Sequence, residues 1–132
     1  MYNAILANIT WNPHDWKQIY INSNAGASFA RHLPGHESLN FHFEKEGIDS
    51  EKYIFGYSEW THNPKRFLFG GSIIFYSKNL DDQQTYIVGL YNNVEILNPK
   101  QEAYWPGFEN DKFLANIRGD KNLSLLFPVR LN

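Results

Sequence analysis

The stretch that most constrains the fold runs through residues 70–97. It holds two runs of β-branched and aromatic residues, 72–77 and 85–90, with the polar residues 81–84 between them. Two such runs around a short polar break are typical of a β-hairpin. Gly89 lies inside the second run, where a glycine usually marks a bulge or a close backbone approach. The sequence therefore predicts a hairpin whose aromatic residues form one wall of a ligand pocket.

The size and composition of the chain indicate one folded domain. With 132 residues, 42% hydrophobic and 20% charged, it has room for one ordinary domain, which we expect to span residues 1–132. The chain closes on a predicted strand with no polar tail, so we expect it to be the N-terminal part of a longer protein. The absence of cysteine excludes disulfides and thiolate chemistry and fits a reducing compartment. Without a signal peptide or an apolar stretch of membrane-spanning length, a cytoplasmic location is expected.

Periodicity and turn residues predict the remaining elements. Alternating or apolar runs indicate strands at residues 2–10, 36–44, 53–60 and 122–131. Short helices are expected at residues 13–18, 25–32 and 109–117, the first with Asn12 as its N-cap and Pro13 at its first position. Several strands at short spacing favour a small barrel or a strongly curved sheet. The predicted fold class is α+β: a small curved β-barrel of five or six strands with two or three short flanking helices.

The motifs of common enzymes are missing from the sequence. No nucleophile elbow, P-loop or dinucleotide fingerprint is present, and Gly70-Gly71 precedes a strand rather than a helix. His36, His42 and Glu44 are the best candidates for a metal site, because His42 and Glu44 share a face of the predicted strand. We expect a binding domain with no catalytic residues, no metal and no cofactor. A metal-dependent nuclease built on those three residues is the alternative.

Recognition of a flat ligand fits the composition better. Aromatic residues make up 17% of the chain, more than a domain of this size can bury completely. Two or three rings can sandwich a base, and stacking contributes about 1–3 kcal/mol per base. The candidate rings are Trp11, Trp16, Tyr20, Trp60, Phe75, Tyr76, Tyr91 and Trp105. The net charge of -2 argues against a strong general grip on nucleic acid but permits a local basic stripe. The cations assigned to phosphate contacts are Lys17, Arg31, Lys65 and Arg66.

Residues 71–77, 86–91 and 94–96 resemble the central strands of EVE domains, relatives of YTH domains in the PUA-like superfamily. The shared pattern is a glycine-led strand ending in Phe-Tyr-Ser, then Ile-Val-Gly leading to a strand with Val-Glu. Trp11 and residues 34–41 are also similar to a variant at the N-termini of archaeal McrB-type proteins. Those are modification-dependent restriction factors whose C-terminal part is a GTP-hydrolysing motor.

This resemblance implies a PUA-like barrel that flips a methylated base of DNA into an aromatic cage and targets a restriction complex. Relatives of this kind are associated with N6-methyladenine or with 5-methylcytosine and its oxidised forms. By position, the resemblance implies a cage of Trp11, Trp16, Trp60 and Tyr76, with Asn22 and Ser77 as polar groups at the base edge. The chain lacks the Lys-Ser-Trp-Ser start of a YTH pocket. The implied partners are modified DNA and a GTPase motor in the same full-length chain.

Two further functions are compatible with the same residues. The same fold could read RNA instead of DNA. Alternatively, the exposed rings could contact another protein chain, which would make this an interaction domain. A titration with methylated and unmethylated nucleic acid separates these alternatives from the predicted function.

Overall fold

The computed structural model describes residues 3–18, 36–43, 51–59, 70–103 and 113–131. Their regular structure is almost entirely β. The strands are β1 Ala4–Asn8, β2 Tyr53–Gly56, β3 Gly71–Lys78, β4 Thr85–Ala103, β5 Phe113–Asp120 and β6 Leu125–Leu131. Two short 3-10 helices complete the described elements, His36–Leu39 and Lys121–Leu123.

The six strands form one mixed sheet, in which five follow the order β1-β3-β4-β5-β2 and β6 pairs with β4 off this path. β1 and β3 are parallel, and the other pairs are antiparallel. β4 has 19 residues and is the longest strand. Its first part pairs with β3 along one edge and with β6 along the other, and its second part pairs with β5. β4 therefore joins the two parts of the sheet: β3 and β6 pair with its first part, and β5 pairs with its second part.

The predicted hairpin is confirmed as β3 and β4. Lys78 pairs with Thr85, and the amide of Asn79 donates to the carbonyl of Gln84 at 2.9 Å across the polar turn. The stretch predicted as the hairpin stops at residue 97, but β4 continues to Ala103 through a register shift in its pairing with β5. The β5 strand provides hydrogen-bonding partners on the far side of this shift, which is why the strand does not stop there.

The closed barrel with flanking helices is not found in the described residues. Their sheet stays open, and their helices are the two 3-10 segments only. The helix predicted at 109–117 is wrong over its described part, because Phe113–Asp120 is strand β5. The predicted helix at 25–32 lies outside the described residues. What the structure shows is a mainly-β, mixed six-stranded sheet.

Residues 13–18 form turns instead of the predicted helix. The capping hydrogen bond does form, since the amide of His14 donates to Asn12 Oδ1 at 2.8 Å. Asp15 and Trp16 then adopt φ values of 59° and 56°, which lie in the left-handed region and end any right-handed helix. The local N-cap signal was therefore present, but the chain turns away before a helix can form.

The strands predicted outside the hairpin have mixed outcomes. β1 confirms the strand predicted at 2–10, and β2 and β6 confirm shorter parts of those at 53–60 and 122–131. The strand predicted at 36–44 is wrong: His36–Leu39 is a 3-10 helix, and the amide of Asn40 donates to the carbonyl of Glu37 at 3.0 Å. Leu39 and Phe41 are nevertheless fully buried, so the apolar residues that suggested a strand do enter the core.

The centre of the core is a cluster of three buried rings that meet edge to face. The ring centroids of Phe41, Phe75 and Tyr91 lie 5.4, 5.8 and 4.9 Å apart pairwise, which is a favoured aromatic spacing. The hydroxyl of Tyr91 donates to the carbonyl of Asn40. Burial raises the pKa of Tyr91 well above its usual value, so the buried hydroxyl keeps its proton. The backbone of Gly56 lies close to the Tyr91 ring. A Cβ atom at this position would be 2.5 Å from the hydroxyl oxygen of Tyr91.

Candidate ligand-binding site

The candidate site is built on residues 9–18, which follow β1 and are called here the Trp11 loop. The loop starts where the parallel β1–β3 ladder ends, and the amide of Ile9 still donates to the carbonyl of Tyr76 at 3.0 Å. Ser77 is fully buried and donates its hydroxyl to the carbonyl of Ile9 at 2.6 Å. The sheet therefore fixes the start of the Trp11 loop beside the β3–β4 turn.

Two predicted cage residues, Trp11 and Trp16, meet in this loop. Their ring centroids are 5.7 Å apart and their planes are inclined by 82°. Trp16 has no exposed surface, and its indole Nε1 donates to the carbonyl of Thr10 at 3.0 Å. Trp11 is half-buried and also lies 6.1 Å from the ring of Tyr86. Trp11 is thus the ring with accessible surface, and Trp16 supports it from the core.

The Trp11 loop holds an unfavourable backbone conformation. The left-handed φ values of Asp15 and Trp16 occur at two successive residues that carry a Cβ atom, and each costs about 1–2 kcal/mol. The conformation is fixed by the burial of the Trp16 ring and by a 3.1 Å hydrogen bond from the amide of Phe41 to the carbonyl of Trp16. Such conformations persist where surrounding contacts over-determine them, and they concentrate at functional sites.

A second segment, residues 36–40, is hydrogen-bonded to the Trp11 loop and is called here the clasp. Glu37 Oε1 accepts a hydrogen bond from the amide of Thr10 at 2.7 Å. The carbonyl of Ser38 accepts one from Asn12 Nδ2 at 3.1 Å. The residues on both sides of Trp11 are therefore held by the clasp. The partners of Glu37 and Asn12 could not be predicted from the sequence, because these contacts join positions 27 and 26 apart in the chain.

The other side of the clasp is bound to the chain that follows β2. The side-chain amide of Asn40 accepts from the amide of Tyr57 and donates to its carbonyl, both at 2.9 Å. Asn116 on β5 does the same for Ser58, at 2.9 and 2.6 Å. Each asparagine therefore satisfies a buried peptide group as a neighbouring strand would. These contacts fix the backbone of the residues that precede Trp60 in the sequence.

The clasp carries two partly buried titratable side chains, His36 and Glu37. His36 Nδ1 accepts a hydrogen bond from the amide of Leu114 at 3.1 Å. Burial lowers the pKa of His36, the cation of Lys100 lowers it further, and Glu59 acts in the opposite direction. Burial raises the pKa of Glu37, while its hydrogen bonds from Thr10 lower it. Both clasp side chains are thus held closer to their neutral forms than in water.

Replacing His36 with glutamine is expected to reduce the loss of stability on acidification. The neutral ring is favoured in the folded state, so below its usual pKa of about 6.5 the unfolded chain binds the proton more readily. Stability that is present above this pH is therefore lost as the pH falls. His36→Gln should remove roughly 0.5 kcal/mol of the change between about pH 7.5 and 5.5, a small value because solvent screens the partly exposed ring. Urea unfolding measures this difference, with the exposed His14→Gln as control. Parallel pH profiles for wild type and His36→Gln would contradict it.

The other predicted site residues are not all brought to the Trp11 loop. Tyr76 follows Phe75 on β3, so its side chain points to the opposite face of the sheet from Phe75 and Ser77. On that outer face it lies near a cross-strand row of aliphatic side chains: Leu6, Ile74, Leu90 and Leu125. Lys17 is exposed in the Trp11 loop. The predicted residues Asn22, Arg31, Trp60, Lys65 and Arg66 lie outside the described residues.

The predicted candidates for a metal site were His36, His42 and Glu44. His36 uses Nδ1 to accept from the backbone of β5. Glu44 lies outside the described part of the chain. Within the described ranges, no group of three or more His, Cys, Asp or Glu side chains could hold a metal ion. In the same ranges, no helix has the length and apolar character needed to cross a membrane.

Comparison with known proteins found no match to a protein-family model, to a curated protein or to a solved structure. The fold and the site define a small mixed β-sheet domain with a strained aromatic loop. In that loop, a half-buried tryptophan is held on both sides by buried hydrogen bonds. A ring held in place in this way would lose little conformational entropy if a ligand bound to it.

Proposed function

We propose that this domain recognises modified nucleic acid by stacking a flipped, methylated base of DNA against Trp11. The observation that supports this proposal is that hydrogen bonds to both neighbouring residues fix the position of Trp11. The clasp binds the backbone or side chain of both neighbouring residues, and Trp16 packs edge-on against the ring. A half-buried indole fixed in this way presents one surface to a ligand at little cost in conformational entropy.

The energetics of base recognition fit such a ring. Taking a base out of a duplex costs a few kcal/mol, which stacking must offset. Stacking contributes about 1–3 kcal/mol per base, and one buried methyl group adds about 0.8 kcal/mol. Tyr86 provides a second aromatic surface 6.1 Å from Trp11, inclined by 45°. Its hydroxyl donates to Asp82 Oδ2 at 2.5 Å, which ties this ring to the β3–β4 turn.

The charge distribution supports selective rather than general binding. Lys17 is exposed in the Trp11 loop and is the described cation placed to approach a phosphate. Arg31, Lys65 and Arg66 complete the proposed phosphate contacts. With a net charge of -2, the domain makes few phosphate contacts, so its affinity should fall only gently with salt. Discrimination must then come from the base and its methyl group.

The wider role that we propose follows from the sequence resemblance. The EVE/YTH-like motif falls on β3 and β4, and the parallel pairing of β1 with β3 carries the Trp11 loop to the end of that motif. On the basis of this motif we propose that the domain belongs to the PUA-like class. Within a longer protein it would deliver a GTP-hydrolysing motor to modified DNA. In the proposed site, Trp11 takes the central role of the cage, with Trp16 behind it.

Replacing Trp11 with alanine is expected to weaken binding to methylated DNA by about 10- to 100-fold, the loss of one stacked base. Fluorescence anisotropy with duplexes that carry N6-methyladenine, 5-methylcytosine or no modification measures this change. Trp11→Phe should retain part of the affinity. Tyr53→Ala, on the strand at the other end of the sheet order, is the matched control and should bind as wild type does.

Three outcomes would contradict the proposed function. Equal affinity for methylated and unmodified duplexes would remove base recognition. Tighter binding to single-stranded RNA of the same sequence would assign the site to RNA. Cleavage of the probe in the presence of a divalent metal would indicate a nuclease instead of a binding domain.

A further inference from the structure

We propose that Glu37 is a positioning residue that sets the orientation of Trp11 and makes ligand affinity depend on pH. The part of this inference that concerns affinity rests on the proposed function. The part that concerns the orientation of Trp11 is a property of the unliganded protein and is tested separately below.

The geometry gives Glu37 control over one side of Trp11. Its Oε1 atom accepts the amide proton of Thr10 at 2.7 Å. The carbonyl of Thr10, which belongs to the peptide bond with Trp11, accepts from the indole of Trp16 at 3.0 Å. Thr10 is thus held at its amide and at its carbonyl. Glu37 provides the first of these two hydrogen bonds.

The hold on the other side of Trp11 does not titrate. Asn12 Nδ2 donates to the carbonyls of Ser38 and Gln18, at 3.1 and 2.9 Å. Neither an amide nor a carbonyl changes protonation between pH 4 and 9. Protonation of Glu37 therefore weakens the hydrogen bond to Thr10, before Trp11, and leaves the hydrogen bonds of Asn12, after Trp11, unchanged. We expect the ring to reorient about Asn12 while the loop stays folded.

The groups that face Glu37 define the direction of the pH effect. Glu59, just after β2, is the charged group that acts on it and favours its neutral form, as does burial. Its clasp neighbour His36 faces Lys100 of β4 and Glu59. From β5, Phe113 and Leu114 meet the clasp and carry no charge. Proton uptake by Glu37 accordingly begins above the usual carboxylate range, where exposed carboxylates are still ionised.

Ionised Glu37 is the form that holds Trp11. A hydrogen bond from an amide to a carboxylate is about twice as strong as one to a neutral carbonyl. As the pH falls through the raised pKa of Glu37, this bond weakens, so affinity for the ligand should fall. A negative charge near a phosphate would act in the opposite sense, since its neutralisation would raise affinity. The sign of the pH dependence therefore distinguishes positioning from simple charge repulsion.

Nuclear magnetic resonance of the free protein tests the orientation directly. In a pH titration, the backbone amide of Thr10 and the indole Nε1–H of Trp11 should shift together with one midpoint above the usual range for Glu. Glu37→Gln keeps an acceptor oxygen but cannot titrate, so both shifts should disappear. The exposed Glu51→Gln is the matched control and should titrate like wild type. A Trp11 indole signal that is insensitive to pH, or that titrates equally in Glu37→Gln, would overturn the proposal.

Binding to a duplex that carries N6-methyladenine completes the test. Wild-type affinity should fall by about fivefold as the pH is lowered from 7.5 through the midpoint found in the nuclear magnetic resonance titration, and Glu37→Gln at pH 7.5 should match wild type below that midpoint. Glu37→Asp keeps the charge but shortens the reach, so it should bind weakly on both sides of the midpoint. If no duplex binds, the proposed function fails, while the nuclear magnetic resonance titration still decides the role of Glu37. An affinity that rises on acidification in wild type but not in Glu37→Gln would overturn the positioning role.

Discussion

Gly89→Ala is expected to destabilise the domain by about 3 kcal/mol or more, the size of a severe overpacking effect. A Cβ atom at this position would lie 2.6 Å from the carbonyl oxygen of Leu125 and 2.6 Å from the ring of Phe41. Both distances are far below van der Waals contact. The first neighbour is backbone of β6 and the second is a ring fixed in the core, so neither can move aside cheaply.

Urea or thermal unfolding measures this effect. Thr85→Ala, an exposed position on the same strand, is the control and should change stability by less than about 0.5 kcal/mol. Adding Phe41→Leu to Gly89→Ala should not restore stability, because the contact with the Leu125 carbonyl remains. If Gly89→Ala unfolds like wild type, β6 does not pack against β4 as described.

Asn40→Ala is expected to destabilise the domain by about 3 kcal/mol, since it leaves two buried peptide groups without partners. Asn40 is fully buried, and its side chain satisfies both the amide and the carbonyl of Tyr57 at 2.9 Å. Without Asn40, the amide and the carbonyl of Tyr57 each stay buried with no hydrogen bond, and each then carries its full desolvation cost. The truncation also leaves a cavity beside the backbone of the clasp.

Asn40→Asp separates the two hydrogen bonds in the same unfolding assay. The carboxylate can accept from the amide of Tyr57 but opposes its carbonyl, so this variant should also be destabilised, and more so at neutral than at acidic pH. Asn122→Ala, at an exposed position in the second 3-10 helix, is the control and should have a small effect. A wild-type stability for Asn40→Ala would show that Tyr57 finds another partner.

The part of the fold that could be predicted from sequence is the part set by local pattern. The hairpin was evident because two β-branched runs flank a polar turn, and both runs form strands that pair with each other, with two shifts of register. Gly89 was correctly marked as a place of close backbone approach, and the structure shows Leu125 and Phe41 against it. The start of β1 was also evident from its apolar residues.

The failure at β5 has a simple geometric cause. Phe113 and Ile117 are four residues apart, a spacing that places two side chains on one face in a helix and also in a strand. Their pattern could not distinguish the two. Pairing decided it, since β5 is hydrogen-bonded to β4 on one edge and to β2 on the other. Such tertiary contacts are invisible to local periodicity.

The candidate site was predictable only in its aromatic members. Trp11 and Trp16 stood out by residue type, and the structure brings their rings to 5.7 Å. The residues that hold them gave no local signal, because Glu37 and Ser38 reach the loop across more than 25 positions. The same segment was expected to be a strand, since its apolar residues alternate. A 3-10 turn instead points Glu37 and Asn40 at two different parts of the chain.

The length of β4 has a mechanical consequence for the whole domain. One half of the sheet, which carries the Trp11 loop, is β1 and β3 paired with the first part of β4. The other half is β5 and β2, of which β5 pairs with the second part of β4. In the described residues, the two halves are also joined by the clasp and by Lys121–Leu123, which leads from β5 into β6. The β4–β5 ladder is interrupted between Ile96 and Gln101, so the backbone there is least restrained by its neighbour. Bending of β4 at this point would break no pair of the β4–β5 ladder, so we expect any movement between the two halves to occur there.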